Sequence, residues 1–173
     1  WDPSKLTSTD WTDFVTRTGL TTQNTISASG GTEKMTAYGS FGLTDNRGVV
    51  QGQDFKRYNA NLRIDLNPTE WFSFGGTLNG AYSLQEFGQS RAGNVGVSVR
   101  DGLYESARTI FTYTLPYDNE GNRVEYPGGD IAVKTIVGEA ELSQDQRTMV
   151  RIFGSFYGQL DLGNIFPVLE GLK

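Results

Sequence analysis

The 173-residue sequence contains no cysteine and no histidine. Without thiols there are no disulfides, no thiolate nucleophile and no cysteine-ligated metal. Without imidazole the commonest general base and the commonest metal ligand are both missing, and most hydrolase and zinc readings go with them. Long apolar runs are missing too. Nowhere do the ~18 consecutive apolar residues of a membrane-crossing helix occur. Basic clusters are scarce: 15 Lys and Arg stand against 20 Asp and Glu, for a net charge of −5. Nucleic acid is therefore not an expected partner, because holding phosphates requires clustered cations. Proline is also sparse, at 5 residues. What is abundant is glycine, with 22 residues, and aromatic side chains, at 12%, a mixture that suits strands and turns better than helices.

The chain is organised around Phe55–Leu66. From Tyr58 onward the even positions Tyr58, Ala60, Leu62, Ile64 and Leu66 are apolar, and the odd positions Arg57, Asn59, Asn61, Arg63 and Asp65 are polar or charged. A period of two places the two sets on opposite faces of a β-strand. Roughly ten residues is the length that crosses a bilayer as a tilted strand, and it exceeds the usual ~5–6 of a soluble sheet. Such a two-faced strand fits a soluble sandwich with its apolar face inward. It also fits an outer-membrane barrel with its apolar face toward lipid and its polar face toward the lumen.

Other segments repeat the pattern. A short helix is expected near Trp11, Phe14 and Val15, capped by Asp10 and stopped at Gly19. Strands are expected at Thr22–Ser29, at Met35–Leu43, at Trp71–Ser83 (Phe72, Phe74 and Leu78 opposite Asn79) and at Thr148–Leu162. In the last, Ile152 and Phe156 oppose Arg151, Gln159 and Asp161, while Phe153 and Tyr157 blur the polar side. Turns are expected at Gly30–Lys34 and Asn67–Glu70, with longer links at 44–54 and 84–146. Within the longest link, Asp101–Phe111 suits an amphipathic helix and Tyr117–Asn122 a hairpin turn. Links in a meander alternate between the two ends of the sheet, so one end carries tight turns and the other large loops. That asymmetry, with aromatics near strand ends (Phe55, Tyr58, Trp71, Phe72, Tyr82), favours the barrel.

No catalytic constellation stands out, and no enzyme is expected. Glu139 and Glu141 offer a glycosidase-like carboxylate pair, but a solvated loop is the preferred reading. Asp118, Asn119, Glu120 and Asn122 could supply oxygens to Ca²⁺; their spacing is not that of a calcium loop, and turn chemistry is preferred, so no metal is expected. Gly93, Gly96 and Gly102 form no phosphate cradle. Tyr104, Phe111, Tyr113 and Tyr126 suit sugar stacking or a lid protein, with packing inside the loop preferred.

Several segments in series resemble one family. They are Thr9-Asp10-Trp11 with Arg17-Thr18-Gly19, Gln23-Asn24, Ser27–Lys34, and Tyr38–Leu43 leading to Gly48-Val49-Val50. Arg57–Leu62 before a short turn and Trp71, Pro116-Tyr117-Asp118 with Gly121-Asn122, and Leu169–Lys173 continue the series. Together they resemble the SusC/RagA-like TonB-dependent outer-membrane transporters. The resemblance implies an all-β, antiparallel up-and-down transmembrane barrel of about 22 strands with a plugged lumen, of which this chain would supply about five. It implies import of large nutrients, glycans or peptides, across the Gram-negative outer membrane, energised by a TonB complex and closed by a SusD-like surface lipoprotein lid. Residues 1–20 would then be extracellular, 21–83 strands, 84–146 an extracellular loop, and 147–173 a strand and periplasmic turn. The plug and the TonB-contacting segment are missing. The chain begins at Trp1 without an initiator methionine and ends at Lys173, as an excerpt or a trimmed product would.

On this mapping Tyr58, Ala60, Leu62, Ile64, Leu66, Phe72, Phe74, Leu78, Ile152 and Phe156 would face lipid. Arg57, Asn59, Asn61, Arg63, Asp65, Asn79, Arg151, Gln159 and Asp161 would face the lumen and plug, and for these a merely wet interior is preferred over substrate contact. The competing function is a soluble β-rich carbohydrate-binding module.

Overall fold

The computed structural model describes residues 8–88, 102–131, 133–138, 141, 145–165 and 168. Its centre is one five-stranded antiparallel meander whose spatial order equals its sequence order. The strands are β1 (Leu20–Thr32), β2 (Met35–Arg47), β3 (Gln53–Thr69), β4 (Phe72–Phe87) and β5 (Gln146–Leu160). At 13, 13, 17, 16 and 15 residues, each is longer than the ~9–11 needed to span a bilayer at a tilt.

Every strand outruns its sequence-based boundary at one end or both. Gly30 and Gly31 belong to β1 and not to the turn, which is reduced to Glu33-Lys34. A Cβ at Gly31 would stand 2.6 Å from the Met35 carbonyl oxygen, so glycine serves close strand approach there. Asn67, Pro68 and Thr69 continue β3, and Asn67 N–H donates to Lys34 O at 2.7 Å. β5 ends at Leu160. Leu162 therefore opens a four-residue helix, α2 (Leu162–Ile165), and leaves the strand's apolar face.

The chain divides into two compact units. The first comprises Trp1–Thr21, Asn46–Phe55 and Gln85–Arg147; the second comprises Thr22–Asp45, Lys56–Leu84 and Thr148–Lys173. Trp11, Val15, Leu103, Ala107, Ile110 and Ile136, the buried hydrophobic residues among those described, all belong to the first unit. The expected helix is a single 3-10 turn, Trp11–Phe14, with the Asp10 carboxylate accepting from Thr12 N–H at 2.9 Å. That turn is too short to persist alone. It is held by burial of Trp11 and Val15 with Leu103 and Ala107 of α1 (Leu103–Thr109), and by Trp11 Nε1 donating to Phe111 O. It ends at Phe14, well before Gly19.

No such core occurs among the described residues of the second unit. Its sheet leaves Ile26, Leu62, Ile152 and Phe156 between 52% and 83% exposed. A sandwich needs a second sheet across that face, and no other sheet occurs among the described residues.

Candidate functional site

The two faces of the second unit's sheet are chemically distinct. On one face Leu62, Ile64, Leu66, Phe74, Leu78 and Phe156 line a shallow groove of about 330 Å³. Two aromatic rows bound this face. Phe41, Tyr58 and Tyr82 form one, with ring centroids 6.5 and 6.2 Å apart across β2, β3 and β4. Trp71, Phe72 and Phe74 form the other, at 6.0 and 5.6 Å. Beyond Tyr58 the next even side chain is Lys56, 3.6 Å from Asp45, so charge resumes where the first row ends. Phe55 is in neither row; it lines a groove of the first unit with Asn46, Gly48 and Asp54.

The opposite face carries a hydrogen-bonded polar network. Asn61 Nδ2 donates to Ser40 Oγ at 2.9 Å, Arg63 Nε to Asp65 Oδ2 at 2.8 Å, and Tyr157 O–H to Asp65 Oδ1 at 2.8 Å. Thr77 and Ser155 hydroxyls meet at 2.7 Å. Arg57, Asn59, Asn61, Asn79 and Arg151 line a second groove, of about 340 Å³, together with Phe153. Five of the nine polar residues singled out by alternation thus line one groove, and Arg63 joins Asp65 as a pair. Gln159 lies exposed on β5. Asp161 lies elsewhere. It follows β5, and its Oδ1 accepts from Gly163 N–H at 3.2 Å at the start of α2.

Sequence reasoning passed over the Gly75-Gly76 pair of β4. A Cβ at Gly75 would stand 2.7 Å from Asp65 Oδ1 and 2.8 Å from the Tyr157 ring; one at Gly76 would stand 2.5 Å from the Phe156 ring. Adjacent aromatics of β5 thus lie over adjacent glycines on opposite faces. The available signal was a glycine doublet inside an alternating strand.

In the first unit, Arg17 holds the link at 48–52. Its Nη2 pairs with Asp54 Oδ1 at 2.5 Å, its Nε donates to Gly48 O at 3.0 Å, and Thr16 and Val50 form an antiparallel bridge. Farther along, the Asp118 carboxylate accepts from Glu120 N–H at 2.9 Å and Asn122 N–H at 2.8 Å, closing the turn at Gly121 (φ 86°). The Asn122 backbone N–H, then its side chain, hold the Asp118 carboxyl below its ordinary range. Those oxygens are engaged by amide donors, and no cluster of metal-ligating acids occurs among the described residues. Phe111 and Tyr113 stack on each other at 5.4 Å and stay about half exposed. Glu139, Gly93 and Gly96 lie outside the described residues.

A long-stranded meander, apolar between aromatic rows on one side and hydrogen-bonded polar on the other, has the form of an up-and-down β-barrel wall. No protein-family model matches this sequence. Over 118 residues it is 33% identical to the TonB-dependent receptor SusC of Bacteroides thetaiotaomicron, covering 66% of this chain and 11% of that protein. Over 77 residues it is 31% identical to the TonB-dependent receptor P39 of Formosa agariphila, covering 44% of this chain and 7% of that protein. In fold it is similar to a chain of the RagAB peptide importer in its closed-closed state, with TM-score 0.62 over 88% of this chain and 17% of that one, at 23% identity. The open-open state gives TM-score 0.60 over 86% and 17%, also at 23% identity. In sequence and fold the chain is SusC/RagA-like, a relative of the TonB-dependent receptors, and it spans about a tenth of the length of the curated relatives it matches.

Proposed function

We propose that this chain forms part of the wall of a TonB-dependent outer-membrane barrel that imports large nutrients, glycans or peptides. The observation that carries the reading is the apolar band between the two aromatic rows. Phe72 and Tyr82 lie on one face of β4, ten residues apart. At ~3.4 Å per residue and a tilt of 35–45°, that is about 24–28 Å along the membrane normal, matching the ~25 Å apolar band of outer-membrane barrels. On this reading Tyr58, Ala60, Leu62, Ile64, Leu66, Phe72, Phe74, Leu78, Ile152 and Phe156 meet lipid. The opposite face meets the lumen and plug. The long links lie outside the cell and the turns Glu33-Lys34 and Glu70-Trp71 in the periplasm. A SusD-like lipoprotein is the lid, the TonB complex the energy source, and the chain itself performs no catalysis. The soluble carbohydrate-binding alternative is disfavoured because the described apolar face has no covering layer.

Single cysteines test this directly once any cysteine outside residues 1–173, which hold none, has been replaced. In the full-length protein reconstituted in brominated lipid, a fluorophore at Leu62→Cys or Ile64→Cys should be quenched, and one at Asn61→Cys should not. Equal quenching at both parities, or expression of residues 1–173 as a detergent-free monomeric domain, rules the barrel wall out.

A further inference from the structure

Three arginines, Arg57, Arg63 and Arg151, lie on the polar face of the second unit's sheet, but only one is neutralised there. Arg63 is paired with Asp65 at 2.8 Å. Neither Arg57 nor Arg151 has an acidic partner within ion-pair distance among the described residues. Both line one groove, and every other residue lining it is uncharged. In a chain with net charge −5, this is a local concentration of positive charge with no acid paired to it among the described residues. Two guanidinium groups sharing a groove repel each other and present forked donors suited to a planar anion.

The rest of the lining narrows the ligand. Asn59, Asn61 and Asn79 offer both amide donors and carbonyl acceptors, the complement of sugar hydroxyls. Phe153 is 65% exposed on a face of mainly polar side chains. Tyr157, the other aromatic of β5 on this face, is accounted for by its bond to Asp65; Phe153 has no ring partner among the described residues. An exposed ring beside amides and arginines gives the flat apolar face of a pyranose somewhere to rest while its acid group meets a guanidinium. The volume, about 340 Å³, lies at the small end of the ~300–1,000 Å³ of ligand pockets.

We propose that Arg57, Asn59, Asn61, Asn79, Arg151 and Phe153 form a binding site for a carboxylate-bearing oligosaccharide on the lumen face. The proposal rests on the barrel-wall reading. Its test is calorimetric titration of the full-length protein with trigalacturonate, neutral maltotriose and triglutamate. Trigalacturonate should bind, weaken about 10-fold or more in Arg57→Gln, Arg151→Gln and Phe153→Ala, and weaken again as salt rises. Asn79→Asp, which supplies a carboxylate inside the groove while keeping both arginines, should have the same effect. Maltotriose should show none of these dependences. The proposal is overturned if trigalacturonate does not bind, or if the arginine variants leave its binding unchanged. It is equally overturned if triglutamate binds as well and ignores Phe153→Ala, or if the arginine variants only lower the barrel's unfolding midpoint, which would assign the groove to an acid of the protein itself. Lipid quenching at Leu62→Cys is read separately, so failure of this site and failure of the barrel wall give different results.

Discussion

Tyr157 reaches across a whole strand to Asp65. The phenol on β5 donates to a carboxylate on β3 at 2.8 Å, passing over β4 where Gly75 has no side chain to block it. The other oxygen of that carboxylate accepts from Arg63 at 2.8 Å. Gly75→Ala would place a methyl 2.7 Å from Asp65 Oδ1 and equally close to the Ile64 carbonyl oxygen, so side-chain movement alone cannot relieve it. We expect Gly75→Ala to cost about 1–3 kcal/mol through overpacking, and Tyr157→Phe clearly less, because it removes only one exposed hydrogen bond. Urea unfolding of the full-length barrel in lipid distinguishes them; equal effects would mean that the glycine matters only through the hydrogen bond.

Gly76→Ala reports on the other face. There the intruding methyl meets the Phe156 ring at 2.5 Å and the Ser155 carbonyl oxygen at 2.9 Å. The expected outcome is displacement of the ring, read as a changed lipid-quenching response at a tryptophan substituted for Phe156. A response identical with and without the methyl would show that the ring does not rest on Gly76.

The alternation of Tyr58 through Leu66 was legible because each residue's face is written in its own polarity. What could not be read locally was anything whose partner lies far along the chain. Leu84–Phe87 looked irregular, yet Phe87 N–H pairs with Asp145 O at 2.8 Å and its ring lies 5.0 Å from the Arg147 guanidinium. Tyr157 blurred its strand's polar side only until Asp65 and Gly75 were in view. Gly30-Gly31 imitated a turn, because glycine serves tight turns and close strand approach alike. Trp11 and Val15 carried no sign that Leu103, Ala107 and Ile136 would cover them.

Parity along β3 makes a paired prediction. Leu62→Arg introduces a cation on the apolar face, near the middle of the band, and should destabilise the barrel by about 2–4 kcal/mol. Asn61→Arg, one residue away, enters the polar face beside Arg57 and Arg151 and should cost clearly less than Leu62→Arg, with a penalty that shrinks as salt rises. Folding titrations into lipid vesicles measure both. Similar costs would contradict the assignment of faces.

Arg17 and Asp54 should behave as a unit. Their side chains are only 22% and 34% exposed, and Asp54 also accepts from Gly48 N–H at 3.1 Å. Removing either partner leaves a partly buried charge unpaired, so Arg17→Ala and Asp54→Ala should each cost about 1–3 kcal/mol. The double variant should cost clearly less than their sum. Proteolytic nicking within 48–52 provides the local readout, and strict additivity would show that the pair does not hold the link.

Acid should loosen the turn at Asp118 without touching the sheet. Its carboxyl is held below the ordinary range by Asn122 N–H, the Asn122 side chain and Glu120 N–H. A group whose folded pKa is lowered contributes stability that is fully present above its unfolded value, near 3.9, and is lost as pH falls through the folded value. Protection of the Glu120 and Asn122 amides should therefore be flat from neutral pH down to about 5 and should fall only below about 4. Asp118→Asn keeps an acceptor but removes the charge, so its protection should be weaker and no longer respond to acid in that range. Hydrogen exchange at these two amides measures the effect. A loss of protection centred near pH 6 would require another titrating group, because the described turn holds no imidazole and Glu120 is its only other acid.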